Sequence, residues 1–201
     1  RKYIDAKPEL SASNGVAYPT PSGKLTPPPA GYVPVYISHY ERHGSRYLLS
    51  GQDYIRPLQV LERADSAGVL SEKGRETMGK ICRMYAESYK RWGELTPLGA
   101  EQHKRIARRM FKRFPSVFRD SVWVDAKSTV VIRCILSMEN ALQELLRQNP
   151  HLRIRHDASE HDMYYMNFSD KKLAQQKESE EVKETMKDWE KRNMNYQPLM
   201  S

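Results

Sequence analysis

The chain has 201 residues, 39% of them hydrophobic and 29% charged, with a formal net charge of +8. That length suffices for one domain with its own core plus a small appendage, and the charge favours anionic partners such as phosphorylated metabolites, nucleic acid or acidic surfaces. No run of 18 apolar residues occurs, which excludes a membrane-spanning helix. Cys82 and Cys134 lack metal-ligand spacing and form at most one bridge.

Residues 1–31 are rich in proline, glycine, serine and lysine, and read as an extended arm. Residues 33–39 are mostly apolar and β-branched or aromatic, which predicts a first strand in the middle of a sheet. Residues 48–93 read as two helices inserted beside that strand's end. Ile55, Leu58, Leu61 and Val60 form the inner face of the first, with Gly68 as its stop. Ser71 caps the second, Met78, Ile81, Tyr85 and Trp92 form its stripe, and Gly93 ends it.

Thr96 and Pro97 fit the cap and first position of a further helix, with Ile106, Ala107, Met110 and Phe114 at helical spacing and a stop before Pro115. Val122-Trp123-Val124 predicts a second strand. A helix over 131–148 follows, with Ile132, Ile135, Leu136, Leu142 and Leu146 inward, and 152–155 predicts a third strand. Each cysteine falls in a helix beside apolar residues and reads as a small buried hydrophobe. Fourteen of the 23 residues over 170–192 are charged, with Val182, Met186 and Trp189 on a narrow stripe, so this is an amphipathic helix with little to bury. The alternation of strand and helix predicts an α/β fold with parallel pairing.

The chemistry concentrates in Tyr40-Glu41-Arg42-His43-Gly44-Ser45-Arg46-Tyr47, at the end of the first predicted strand. Two arginines flank one histidine, and Gly44 lets the backbone turn between them. Guanidinium forks match phosphate oxygens two at a time, and a neutral imidazole attacks phosphorus to form a phosphohistidine. Arg42-His43-Gly44-Ser45-Arg46 resembles the R-H-G-x-R signature of the histidine phosphatase superfamily. Its R-H-G-S-R-Y form is similar to the acid-phosphatase branch, especially multiple inositol polyphosphate phosphatases and related bacterial phytases.

Two later segments extend the likeness. Ser128-Thr129 followed by Arg133 resembles that family's S-T-x-x-x-R element, with Thr129 placed to cap the helix and Arg133 off the predicted apolar stripe. Leu95-Thr96-Pro97-Leu98-Gly99 is similar to its L-T-P-x-G element. The three stand in the family's order across roughly residues 31–165.

The resemblance implies a three-layer α/β/α fold with a mainly parallel central sheet and helical cap insertions. Residues 1–31 are then the arm, 32–165 the first part of the phosphatase core with its helical insertion about 48–93, and 166–201 the start of a helical cap. It implies His43 as nucleophile, Arg42, Arg46 and Arg133 as phosphate ligands with Ser45 lining the site, no cofactor or metal, and a periplasmic or secreted location. The substrate class is a phosphorylated small molecule, with inositol polyphosphate favoured by the basic charge. The general acid is expected on a later H-D or H-A-E motif, beyond residue 201; His161-Asp162 lacks the preceding glycine and reads as a loop after the third strand, with a pocket-lining role as the alternative.

His103 reads as a core histidine, His39 as either supporting the loop or facing the pocket, and His151 and His156 as surface residues. The basic run over 104–113 lacks interleaved aromatics and reads as a solvated helix face, so no nucleic acid partner is expected. Two other functions remain open: a phosphoglycerate-mutase-like phosphotransferase, and a phosphate-binding module without turnover.

Overall fold

A computed structural model describes residues 2–23, 26–166 and 171–193. The chain forms two compact units, Arg1–Ala158 and Ser159–Ser201. In the first unit, α1 (Lys2–Ala6) and a 3-10 turn (Pro8–Gly15) precede α2 (Gln52–Ser66), α3 (Glu72–Ser88), α4 (Pro97–Arg113), β1 (Trp123–Ser128), α5 (Ile132–Gln148) and β2 (Arg153–Ala158). The second unit holds a 3-10 turn (Glu160–Asp162), α6 (Met163–Met166), α7 (Lys171–Lys177) and α8 (Glu180–Asn193).

The helix boundaries follow local chemistry. The Ser71 hydroxyl accepts from the Gly74 N–H at 3.1 Å and the Thr96 hydroxyl accepts from the Gly99 N–H at 3.1 Å, so both side-chain caps form as the sequence predicts. Pro97 occupies the first turn of α4, where its missing N–H has no partner to lose. Gly68 and Gly93 take φ of +72° and +75° at the turns that follow α2 and α3. β1 and β2 pair in parallel, Val124 opposite Ile154, with α5 as the crossover. The core lies where α4, α5 and the strands meet. Ala107, Phe118, Leu142, Leu145 and Leu152 are its buried centre, and Phe111 stacks on Phe118 at 5.5 Å. The architecture is therefore mixed α/β, with a two-stranded parallel sheet among the described residues.

Several expectations are corrected. Residues 33–39 form no strand: Val33, Val35 and Tyr36 are 75%, 83% and 79% exposed, while Ile37 packs against the core. Strand propensity expresses packing against a pleated neighbour. No described residue pairs with this segment, and Pro34 has no N–H to give a ladder.

The helix over 131–148 forms, but Val131 rather than Thr129 is its cap residue, with no side-chain cap bond. Its inner face is also rotated from the predicted one. Ile132, Leu136 and Leu146 are exposed, whereas Ser137, Leu142, Glu144 and Leu145 are buried. Ser137 and Glu144 go inward because specific partners receive them, which apolar periodicity does not register. Val60 is exposed and Tyr54 takes the buried position on α2. Trp92 is also exposed, stacked edge-on against Tyr89. Cys82 is exposed and Cys134 half-buried, and both are free thiols. The arm is partly helical rather than extended throughout. The amphipathic segment is split into α7 and α8, with Val182, Met186 and Trp189 exposed; its first residue, 170, and the stretch 194–201 lie outside the described residues.

The insertion 48–93 leaves and rejoins the unit at one place. The Tyr47 N–H donates to the Glu94 carbonyl at 3.0 Å and the Gly93 N–H to the Leu48 carbonyl at 2.9 Å, beside an antiparallel bridge between Arg46 and Leu95.

Candidate functional site

The start of α4 grips the segment 41–45 at successive positions. The Thr96 N–H and hydroxyl both donate to the Ser45 carbonyl, at 2.9 and 2.8 Å. The Gln102 Oε1 accepts from the Ser45 N–H at 2.8 Å. Between these, Gly44 lies against the Gly99 backbone so closely that a Cβ on either would run into the other segment's main chain. This contact gives the L-T-P-x-G stretch its physical role: Thr96 caps the helix and Gly99 admits the loop. From the other side, the Gly44 N–H donates to the Ser137 hydroxyl at 3.1 Å. That hydroxyl donates in turn to the Arg133 carbonyl at 2.8 Å. The loop is thus held by α4 and α5 together.

His43 is partly buried within this clamp, and its Nδ1 lies 2.8 Å from the Gly44 carbonyl. A carbonyl only accepts, so Nδ1 carries the proton and Nε2 keeps its lone pair. Burial lowers the His43 pKa below its ordinary 6.5; the Gly44 bond opposes this, and the charges of Arg133, Arg42 and Arg46 lower it further. The ring is therefore neutral near pH 7. Burial, then Arg133 and Arg42, also lower the Arg46 pKa, so the guanidinium groups feel one another. A dianion relieves such a cluster of like charge.

The four charged or nucleophilic residues predicted for the site are brought together: Arg42, His43 and Arg46 on the loop, Arg133 in the first turn of α5. Arg42 is exposed, and Arg46 Nη1 donates to the Tyr47 carbonyl at 2.8 Å. Arg133 Nη1 reaches the Gly93 carbonyl at 3.4 Å, while its Nε is buried without an acceptor among the described residues. Ser45 is tied through both main-chain polar groups, as described above. Thr129 Oγ1 and Gln102 Nε2 are likewise buried without partners among the described residues.

Sequence reasoning assigned no role to Glu41, Gln102 or Ser137, the side chains that hold the loop around His43. His103 is buried as expected, but its partner is Glu41, with Nδ1 3.0 Å from Glu41 Oε1. His39 supports the loop, its Nε2 2.9 Å from Glu41 Oε2. Tyr47, also buried, donates to Glu87 at 3.1 Å and lies under the Arg91 guanidinium, so α3 braces the loop's far end. His161 and Asp162 sit in the 3-10 turn of the second unit, with Asp162 buried and the His161 side chain exposed. Among the described residues, no group of three or more His, Cys, Asp or Glu side chains is arranged to hold a metal ion.

No family model matches this chain, and no curated protein matches it. Two crystal structures of Bifidobacterium longum multiple inositol polyphosphate phosphatase do. The complex with inositol hexasulfate is 26% identical with a TM-score of 0.51. The complex with phosphate is 25% identical with a TM-score of 0.52. Each alignment covers 67% of this chain, and the chain spans only 29% of the phosphatase. The likeness supports a distant relationship between this chain and that phosphatase.

Proposed function

We propose that the protein hydrolyses phosphate monoesters through a phosphohistidine on His43. The observation that carries this is the His43 ring: its Nδ1–H is spent on the Gly44 carbonyl, and the charges of Arg133, Arg42 and Arg46 act on the ring. Nε2 attacks phosphorus in line, forming the P–N bond as the ester P–O bond breaks. Arg42, Arg46 and Arg133 bind the equatorial oxygens, with Ser45 lining the site, and their fixed charges stabilise the transition state without reorganising. The buried, unpartnered Arg133 Nε is a donor that a phosphoryl oxygen satisfies.

The leaving alkoxide takes its proton from a general acid outside the residues around His43; the family resemblance puts that acid on a later H-D or H-A-E motif. Water then attacks phosphorus and returns a proton to the conjugate base of that acid, the P–N bond breaks, and inorganic phosphate leaves with neutral His43 restored. This chemistry calls on no metal or cofactor.

Within that reading the substrate is a polyphosphorylated small molecule of the inositol phosphate type. The net charge of +8 favours it, as does similarity to a phosphatase whose structures are complexes with inositol hexasulfate and with phosphate. Residues 32–165 are then the first part of a three-layer phosphatase core of the histidine acid phosphatase branch, with 166–201 opening a helical cap. A periplasmic or secreted location accompanies this assignment.

The test is phosphate release by the full-length gene product from inositol hexakisphosphate and p-nitrophenyl phosphate. His43→Ala is expected to lose turnover by several orders of magnitude with an unchanged circular dichroism spectrum. Near-parental turnover by that variant overturns the assignment, and isomerised phosphoester in place of free phosphate turns it into a phosphotransferase.

A further inference from the structure

We propose that Glu41 is a positioning residue of this site, tying the Arg42-His43 segment to α4 through His103 and to His39, and so fixing where the imidazole stands. The inference rests on His43 being the nucleophile.

His43 sits between two anchors. Downstream, Gly44 and Ser45 are held through main-chain atoms by Ser137, Thr96 and Gln102. Upstream, residues 33–36 form no ladder among the described residues, and the Ser116 hydroxyl donates to the Pro34 carbonyl at 3.4 Å. Ile37 adds an apolar contact with the core. Glu41 is the first side chain before His43 that locks onto α4. Its Oε1 meets His103 Nδ1 at 3.0 Å and its Oε2 meets His39 Nε2 at 2.9 Å, so both carboxylate oxygens are engaged.

His103 is a rigid partner, 1% exposed in the middle of a helix. Burial pushes the Glu41 carboxyl up, but the hydrogen bonds from His103 and His39 outweigh it and hold the group at about 2. An ionised carboxylate only accepts, so His103 donates from Nδ1 and His39 from Nε2. Rotating Glu41 away breaks both bonds and leaves a buried imidazole N–H without an acceptor. Arg42 and His43 follow directly in the chain, so the carboxylate's placement is passed to them across one and two peptide bonds.

Two conservative variants separate position from charge. Glu41→Asp keeps the charge and shortens the arm; Glu41→Gln keeps the length and loses the charge. Gln still accepts from His103 and donates to His39, whose half-exposed ring is free to change tautomer. In the full-length enzyme, with p-nitrophenyl phosphate as probe, Glu41→Asp is expected to lower kcat by roughly 10²-fold while KM moves less than about threefold. Glu41→Gln is expected to stay within about threefold of the parent in both constants. Parental kcat for Glu41→Asp overturns the proposal, as does a Glu41→Gln loss equal to or larger than that of Glu41→Asp.

If Glu41→Asp does not fold, His39→Ala, at the half-exposed end of the same contact, decides. A fall in kcat of at least about threefold with KM held supports positioning, and parental kcat overturns it. His43→Ala is run alongside: its retaining turnover sinks the phosphohistidine reading itself. An inactive His43→Ala with a parental Glu41→Asp sinks only the role of Glu41.

Discussion

At the scale of single residues, one backbone carbonyl decides what His43 does. By accepting from Nδ1–H, the Gly44 carbonyl fixes the tautomer and leaves Nε2 as the nitrogen that keeps its lone pair. Burial is the largest influence lowering the ring's pKa, and the three arginines add to it against the Gly44 bond. The neutral form therefore prevails above a titration point that lies below 6.5, and the Nε2 lone pair is lost as pH falls through that point. Arg133→Ala removes one of the opposing charges, so the His43 titration should move upward, towards 6.5. Following the His43 ring resonances by NMR across pH 4–8 checks this; an unchanged or lowered midpoint contradicts the placement of Arg133 beside the ring. These roles were legible in the sequence only in part. Arg42, His43 and Arg46 announce themselves because two guanidinium groups around a histidine are chemically pointed, and Arg133 through the likeness of its segment to the S-T-x-x-x-R element. Glu41 does not, since its partner His103 stands 62 residues away and neither residue is unusual alone.

Among the elements, α4 and α5 are joined by a buried acid. Glu144 is 4% exposed and accepts from Arg108 Nε at 3.0 Å and from Arg147 Nη2 at 2.7 Å. Arg147, then Arg108, hold its carboxyl well below the usual carboxylate range against the opposing effect of burial. A depressed folded-state pKa contributes stability above the unfolded value near 4.5 and loses it as pH falls below that value. Glu144→Gln should cost about 1–3 kcal/mol at pH 7. The cost stays below that of breaking a fully buried pair, because the Arg108 and Arg147 side chains are 35% and 62% exposed and remain hydrated. Urea unfolding at pH 7 and at pH 3 measures it: parent and variant should converge as pH falls. A difference that is the same at both pH values would mean that lost packing, not charge, sets the cost. The same acid explains why the phase of α5 was illegible. Glu144 and Ser137 are polar residues buried by partners on α4 and on a loop 93 residues earlier, while the apolar Ile132 is 70% exposed. Helix ends were readable for the opposite reason: Ser71, Thr96, Pro97, Gly68 and Gly93 act on their immediate neighbours.

For the molecule as a whole, the excess of positive charge and the guanidinium cluster make anion binding the property most open to measurement. Inorganic phosphate should raise the melting temperature of the full-length protein, by an amount corresponding to about 2.7 kcal/mol at a hundred times its dissociation constant. Added sodium chloride should weaken the shift through screening, and Arg133→Ala should reduce it at a given phosphate concentration. Equal phosphate-induced shifts in parent and Arg133→Ala would contradict a shared anion site. The strand-helix-strand order over 123–158 was legible at this scale because its connection lengths and apolar runs are local. The failure of 33–39 to form a ladder was not, since a strand exists only where another accepts it. A last consequence follows from the paired bonds at Tyr47–Glu94 and Leu48–Gly93. Because the two ends of the α2–α3 segment are pinned together, its length is nearly decoupled from the geometry of the loop. Closure entropy grows only with the logarithm of loop length, each doubling adding about 0.6 kcal/mol. The exposed turn at Gly68-Val69 is thus a place where the chain can grow or shrink without moving the loop that carries His43.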